Sequence, residues 1–123
     1  MAVTDSFLTF VLEQLEEVRD VTWRRMFGGV GMYAGERFFG LIDDDRLYFK
    51  VDERSVGDYT RAGMGAFRPD PKRPTTMSYC EVPVSVLEDR DELAKWAGRA
   101  VAVAAAGKPP RRRTGKRRNP VQR

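Results

Sequence analysis

The sequence contains no histidine and only one cysteine, Cys80. The missing imidazole excludes His-based triads and His-ligated zinc, and one thiol cannot form an internal disulfide or a Cys-rich metal site. The longest apolar run, residues 100–106, is far shorter than the roughly 20 residues that span a bilayer. The first residues also lack the regions of a signal peptide. We therefore expect a cytoplasmic protein with no cofactor, no metal and no membrane partner.

Acidic residues are missing from residues 108–123, although this segment holds eight basic ones. Residues 1–107 keep 14 of the 22 basic residues and all 18 acidic ones, a net charge of −4. They also hold every aromatic residue. We predict one folded domain over residues 1–107 and a disordered basic tail over residues 108–123. The basic residues of the tail are Lys108, Arg111, Arg112, Arg113, Lys116, Arg117, Arg118 and Arg123.

The first half of the domain changes from a helical to a strand pattern. Phe7, Val11, Leu15 and Val18 follow N-cap residues at helical spacing, which predicts an amphipathic helix of about four turns. From residue 21 to residue 51 the sequence is rich in glycine, β-branched residues and aromatics. The alternation at 46–51 is typical of a half-buried strand. We predict three or four strands here, and their short connections make neighbours antiparallel.

The second half predicts a short helix ending near Gly63, a proline-rich loop between two further extended stretches, and a last helix. Asp89 stands three residues before Glu92, as in a capping box, and Trp96 lies at the centre of the apolar stripe that follows. Gly107 is placed to end this helix. The order is α, three or four strands, α, two strands, α. It predicts an α+β fold with an antiparallel sheet and the helices packed on one face.

Three blocks of this sequence resemble the TfoX (Sxy) N-terminal domain family. They are Met-Phe-Gly-Gly-Val-Gly-Met-Tyr at 26–33, Phe-Gly-Leu-Ile at 39–42 and Leu-Tyr-Phe-Lys-Val-Asp at 47–52. Met-Ser-Tyr at 77–79, Val-Pro at 82–83 and Leu-Ala-Lys-Trp at 93–96 also follow the family pattern. The resemblance covers roughly residues 5–106.

The resemblance implies a secretion-chaperone-like α+β fold and a role linked to competence and DNA transformation. Longer members of the family regulate transcription with the cyclic-AMP receptor protein and carry a second, helical C-terminal domain. Only sixteen residues follow the first domain in this sequence, so we expect a stand-alone member. The family supplies no agreed catalytic residues.

Three local motifs each have a chemical and a structural interpretation. The glycines at 28, 29 and 31 suit a phosphate-binding loop or a tight turn with close backbone contacts. The aspartates at 43–45 suit a divalent cation or a solvated hairpin turn. Cys80 suits a nucleophile or a packed core residue. No P-loop lysine, EF-hand spacing or histidine accompanies them, and we favour the structural interpretation of all three.

Aromatic and basic residues of the strands are a candidate surface face for nucleic acid or a protein partner. Its residues are Trp23, Arg25, Tyr33, Tyr48 and Lys50. The alternative, which we favour, is that they are core residues and ordinary surface charges, because half of them must face the helices. The tail is a candidate for nucleic-acid contact through its eight cations. We therefore expect a non-enzymatic regulatory or accessory protein that binds a protein partner, such as the transcription machinery, and contacts nucleic acid without reading sequence. The alternative is a protein-interaction module with an incidental solubilising tail.

Overall fold

A computed structural model describes residues 3–26, 28–67 and 78–106. The predicted tail at 108–123, the predicted helix stop at Gly107 and Phe27 of the glycine-rich block lie outside these residues. Within them, the elements are α1 (Asp5–Gln14), β1 (Val21–Met26), β2 (Gly29–Ala34), β3 (Arg37–Asp43), β4 (Arg46–Lys50), α2 (Val56–Arg61), β5 (Tyr79–Glu81), α3 (Val84–Leu87) and α4 (Arg90–Ala106). In this part of the chain, no helix is long and apolar enough to cross a membrane.

The strands form one antiparallel sheet in the order β1-β2-β3-β4-β5. Two-residue turns join β2 to β3 and β3 to β4, as their short sequence connections predict. Gly35 occupies the first turn with φ +61°, while Asp44 and Asp45 form the second with φ near +55°. These left-handed conformations suit glycine and aspartate, and their twist matches that of the strands.

The core lies between one face of the sheet and the helices. Core side chains come from β2, β3, β4 and β5 on the sheet and from all four helices, which confirms the predicted α+β fold with helices on one face. The alternation in β4 is confirmed by Leu47 and Phe49, both buried against the helices, and a β-bulge in β3 turns Phe39 into the same core. The Phe39 and Phe49 rings lie 5.7 Å apart.

Two elements differ from the sequence prediction. Helix α1 ends at Gln14 rather than near Val18, because turns follow and Asp20 adopts φ +60°. After α2, the described residues form one strand, β5, with a single bridge between Ala66 and Cys80 in place of a second strand. The sequence prediction also missed α3, a single turn that begins directly after Pro83.

Candidate functional site

The face of the sheet opposite the helices carries a row of aromatic and basic side chains, which we call the outer face. Strand register identifies its members, because residues directly opposite each other in antiparallel strands point to the same side. Tyr48 pairs with Leu41 and Glu81, and Lys50 pairs with Tyr79, while the neighbouring Phe49 points into the core. The outer face therefore comprises Arg24, Tyr33, Phe38, Leu41, Arg46, Tyr48, Lys50, Tyr79 and Glu81.

Ring contacts on the outer face connect three strands, β2, β3 and β5. The Phe38 ring lies 5.2 Å from the Tyr33 ring and 5.7 Å from the Tyr79 ring, centroid to centroid. Two cations cover the ends of this row: the Arg24 guanidinium lies 6.0 Å from the Tyr33 centroid, and the Lys50 ammonium lies 5.1 Å from the Tyr79 centroid. Cation–π attraction holds both positive groups over the aromatic surface.

Tyr48 forms a second aromatic contact on the same face, 4.9 Å from the Phe67 ring. Burial and the nearby Glu81 carboxylate raise the pKa of the Tyr48 phenol. The hydroxyl therefore stays protonated at neutral pH and can donate a hydrogen bond to an anionic or carbonyl oxygen. Glu81 itself pairs with Arg46, at 3.8 Å between Oε1 and a guanidinium nitrogen.

The structure divides the five residues of the predicted surface face between the two sides of the sheet. Tyr33, Tyr48 and Lys50 lie together on the outer face.

Trp23 and Arg25 point to the helix side instead, because their β2 partners are Met32 and Val30, both buried in the core. Arg25 there donates to Asp5 of α1 at 3.1 Å and lies 5.8 Å from the Trp23 ring. The five residues therefore do not form one face, and Arg24 takes the place on the outer face that the prediction gave to Arg25.

The glycine-rich segment forms a hairpin rather than a phosphate-binding loop in the part that the structure describes. Gly28 adopts φ +80° between β1 and β2. A Cβ at Gly29 would lie 2.6 Å from the Ile42 carbonyl oxygen, and one at Gly31 would lie 2.7 Å from the Met26 methyl. These glycines allow neighbouring strands and side chains to approach closely, as the structural interpretation predicted.

The aspartates at 43–45 form the β3–β4 turn, and Asp45 has a structural partner. Its carboxylate accepts hydrogen bonds from the Thr4 backbone N–H at 2.8 Å and from the Thr4 hydroxyl at 2.9 Å. Thr4 in turn caps α1 by accepting from the Phe7 N–H. The turn thus fixes the start of the first helix against the sheet. Among the described residues, no group of three or more His, Cys, Asp or Glu side chains is placed to hold a metal ion.

Cys80 packs in the core on β5 and is 4% exposed. Burial raises the pKa of its thiol, which disfavours the thiolate that nucleophilic chemistry requires. The surroundings of Cys80 therefore support its interpretation as a packed core residue.

A cluster between α2 and α4 was missed by sequence reasoning. Asp58 accepts hydrogen bonds from both Arg61 and Arg99, and these guanidinium groups hold the pKa of its carboxyl below the usual range. Beside it, the Tyr59 and Trp96 rings meet edge to face with centroids 4.7 Å apart. The spacing of Asp58 and Arg61 within one helix is a signal that sequence reasoning could have used. No such signal exists for Arg99, which is distant in the chain.

Comparison with known protein families gives a match to a domain model. A search of curated proteins finds none that is significantly similar. The model of the TfoX N-terminal domain matches residues 13–104, which runs from the last residues of α1 into α4 and includes the whole sheet. The chain therefore belongs to the TfoX N-terminal domain family.

Proposed function

We propose that this protein is a non-enzymatic regulatory or accessory factor of the TfoX kind, with a role linked to competence and DNA transformation. The folded domain binds a protein partner through its outer face, and the basic segment at 108–123 binds nucleic acid without reading sequence. The observation that carries the proposal is the division of charge along the chain: eight cations and no acid follow a domain of net charge −4.

A non-enzymatic role is supported by the structural use of three carboxylates, which accept hydrogen bonds that hold parts of the fold together. Asp45 holds Thr4, Asp58 holds two arginines, and Asp89 accepts from the Asp91 and Glu92 N–H groups at the start of α4. Each of these carboxylates is used to fix an element of the fold. The TfoX N-terminal domain is also not a known enzyme family.

Support for the outer face comes from its chemistry. The Tyr33, Phe38 and Tyr48 rings are half-buried and leave part of their apolar area accessible, whereas Tyr79 is buried. Arg24 and Lys50 supply positive charge at the edges of that area. Aromatic and arginine side chains are enriched in protein interfaces, and the rigid aromatic ones bury much area for little loss of side-chain freedom. The helices leave this face of the sheet unused for the core.

The proposed role of the basic segment follows from electrostatics. Lysine and arginine neutralise phosphates and release the counterions condensed on duplex DNA, so the affinity falls with salt. Eight cations limit the slope of log K against log salt to about −7 for B-DNA. Base readout needs side chains held in register by a rigid element. Three prolines among sixteen residues leave the segment poorly suited to form one, so different duplexes should compete equally.

The test is a titration of the full chain onto duplexes of unrelated sequence at low and moderate salt. In one variant all eight basic residues of 108–123 become Gln, and in the matched control Arg24 and Lys50 of the outer face become Gln. The first variant should lose most of the affinity and of the salt slope, while the control should keep them. Equal binding by the first variant and the wild type would refute the nucleic-acid role of this segment.

The alternative function, a protein-interaction module with an incidental tail, is favoured by the outer face itself, which exists independently of the basic segment. A pull-down with the full chain, with and without nuclease, separates the two functions. Partners lost on nuclease treatment indicate nucleic-acid contact, whereas partners that resist nuclease but are lost from the outer-face variant indicate the alternative. The competence role predicts that deletion of the gene in its own host changes the frequency of natural transformation.

A further inference from the structure

Strand β1 lies at an edge of the sheet that no other described segment covers. At the opposite edge, β5 is flanked by residues 65–67: the Phe67 N–H donates to the Tyr79 carbonyl at 2.7 Å, and the Glu81 N–H donates to the Gly65 carbonyl at 3.1 Å. No described segment does the same for β1, where four consecutive residues, Thr22 to Arg25, are exposed. Such an edge presents backbone donors and acceptors that another strand can use.

The register identifies which main-chain groups of β1 point outward. The Gly35 N–H donates to the Asp20 carbonyl at 3.0 Å, which makes these residues a hydrogen-bonded pair. Hydrogen-bonded and non-hydrogen-bonded pairs alternate along an antiparallel ladder. The even-numbered residues of β1 therefore bond to β2, and the N–H and C=O groups of Val21, Trp23 and Arg25 face the free edge. No hydrogen bond from another described residue reaches these groups.

We propose that β1 pairs antiparallel with β1 of a second copy, around a two-fold axis at Trp23. This register places Trp23 opposite Trp23 of the second copy, and Val21 opposite Arg25 of the second copy. All three outward-facing residues of each strand then lie in hydrogen-bonded pairs. Because each such pair exchanges two N–H···O bonds, the interface gains about six of them.

Other symmetric registers are less favourable. An axis at Arg24 or Arg25 places two guanidinium groups directly opposite each other, which destabilises the pair. An axis at Thr22 forms two hydrogen-bonded pairs within β1 instead of three. With the axis at Trp23, each Arg24 lies opposite Thr22 and each Arg25 opposite Val21, so no like charges are directly opposed.

Side-chain contacts also favour the register with the axis at Trp23. Trp23 is one of two large apolar residues exposed among the described part of the chain, at 40%. Pairing about this two-fold axis brings the two Trp23 indoles into contact on the helix side of the sheet, where each buries the other. Arg25, which already lies over the Trp23 ring of its own chain, is fixed there by Asp5 of α1. One short strand per chain buries little area, so we expect a weak, concentration-dependent dimer.

Sedimentation equilibrium of the full chain from micromolar to millimolar concentration tests the proposal. The weight-average mass should rise from 14.0 kDa towards twice that value. Trp23→Pro removes an outward-facing N–H that β2 does not use, and it should weaken the dimer by about tenfold or more. Trp23→Ala keeps that N–H and should weaken the dimer less. A monomer throughout this range, or a dimer unaffected by Trp23→Pro, overturns the proposal.

Cysteine pairing tests the register even if Trp23→Pro fails to fold. In a hydrogen-bonded antiparallel pair the Cα atoms lie about 5.5 Å apart, within the range that disulfides span. Val21→Cys mixed with Arg25→Cys should therefore form an intermolecular disulfide under mild oxidation. Either variant alone should not, because its two copies lie about four residues out of register. The buried Cys80 contributes no background. Equal cross-linking in the single and mixed samples, or none in the mixture, overturns the register.

Discussion

Gln14 is the one buried polar side chain of the described core, and its replacement by leucine should destabilise the protein although leucine is apolar and of similar size. The side chain is 7% exposed. Its Nε2 donates to the Leu87 carbonyl at 2.9 Å, and its Oε1 accepts from the Arg90 Nε at 3.1 Å. The amide therefore joins the end of α1 to the end of α3 and the start of α4.

The magnitude follows from what each partner does after the change. The Leu87 carbonyl belongs to a buried residue and loses its amide donor, which costs about 1–3 kcal/mol when no replacement is found. Arg90 is half exposed and also pairs with Glu16 at 2.8 Å, so its freed Nε turns to water at little cost. We expect Gln14→Leu to lower the free energy of unfolding by about 2 kcal/mol and Tm by about 10 °C.

Urea unfolding followed by circular dichroism measures this change. Arg90→Gln is the matched control, since it removes only the exposed side of the network and should cost below about 1 kcal/mol. If Gln14→Leu is as stable as the wild type, the hydrogen bond to Leu87 contributes nothing net and the burial of leucine compensates for it. That result would refute the assignment of Gln14 as the polar link between the three helices.

Three further changes follow from single contacts. Asp45→Gly should cost about 1 kcal/mol more than Asp44→Gly in urea unfolding, because both positions have φ near +55° but only Asp45 holds Thr4. Trp96→Ala should cost about 2–3 kcal/mol, less than for a fully buried tryptophan, since the ring is half-buried at the edge of the α4 stripe. In Asp58→Asn, thermal melts should show a smaller loss of stability on acidification than in the wild type. The lowered pKa of Asp58 contributes stability above the unfolded-state pKa, and that stability is lost as the pH falls through the folded value.

Periodic patterns predicted the parts of the fold that depend on neighbouring residues. The helical spacing of Leu93, Ala97 and Ala100 places all three in the core, and the α1 stripe does the same for Val11. Asp89 caps α4 as its position predicted, although the Glu92 side chain pairs with Lys95 and leaves the reciprocal half of the capping box unused. Local chemistry is visible in sequence because its partners are only three or four residues apart.

The sequence does not predict the contacts between distant elements, because these depend on which helix or strand packs against which. Alternation along β1 separates Trp23 from Arg24, but it does not say which side faces the helices. The predicted apolar stripe has Trp96 at its centre but does not identify its partner, and the structure places its ring against Tyr59 of α2. Gln14 is a polar residue in a helix whose charged residues, Asp5 and Glu13, are both acidic, and only the fold brings Leu87 and Arg90 to it.

The proposed dimer and the proposed binding face meet at Arg24. This residue belongs to β1, yet its guanidinium lies on the outer face beside Tyr33. Pairing of β1 with its copy would therefore join two five-stranded sheets into one surface, with the cation–aromatic rows of both chains on the same side. Two basic segments would then be carried by one particle, and simultaneous engagement of one duplex raises affinity through effective concentration rather than new contacts. Trp23→Pro should accordingly weaken DNA binding only at concentrations where the wild type is a dimer, whereas neutralising residues 108–123 should weaken it at every concentration.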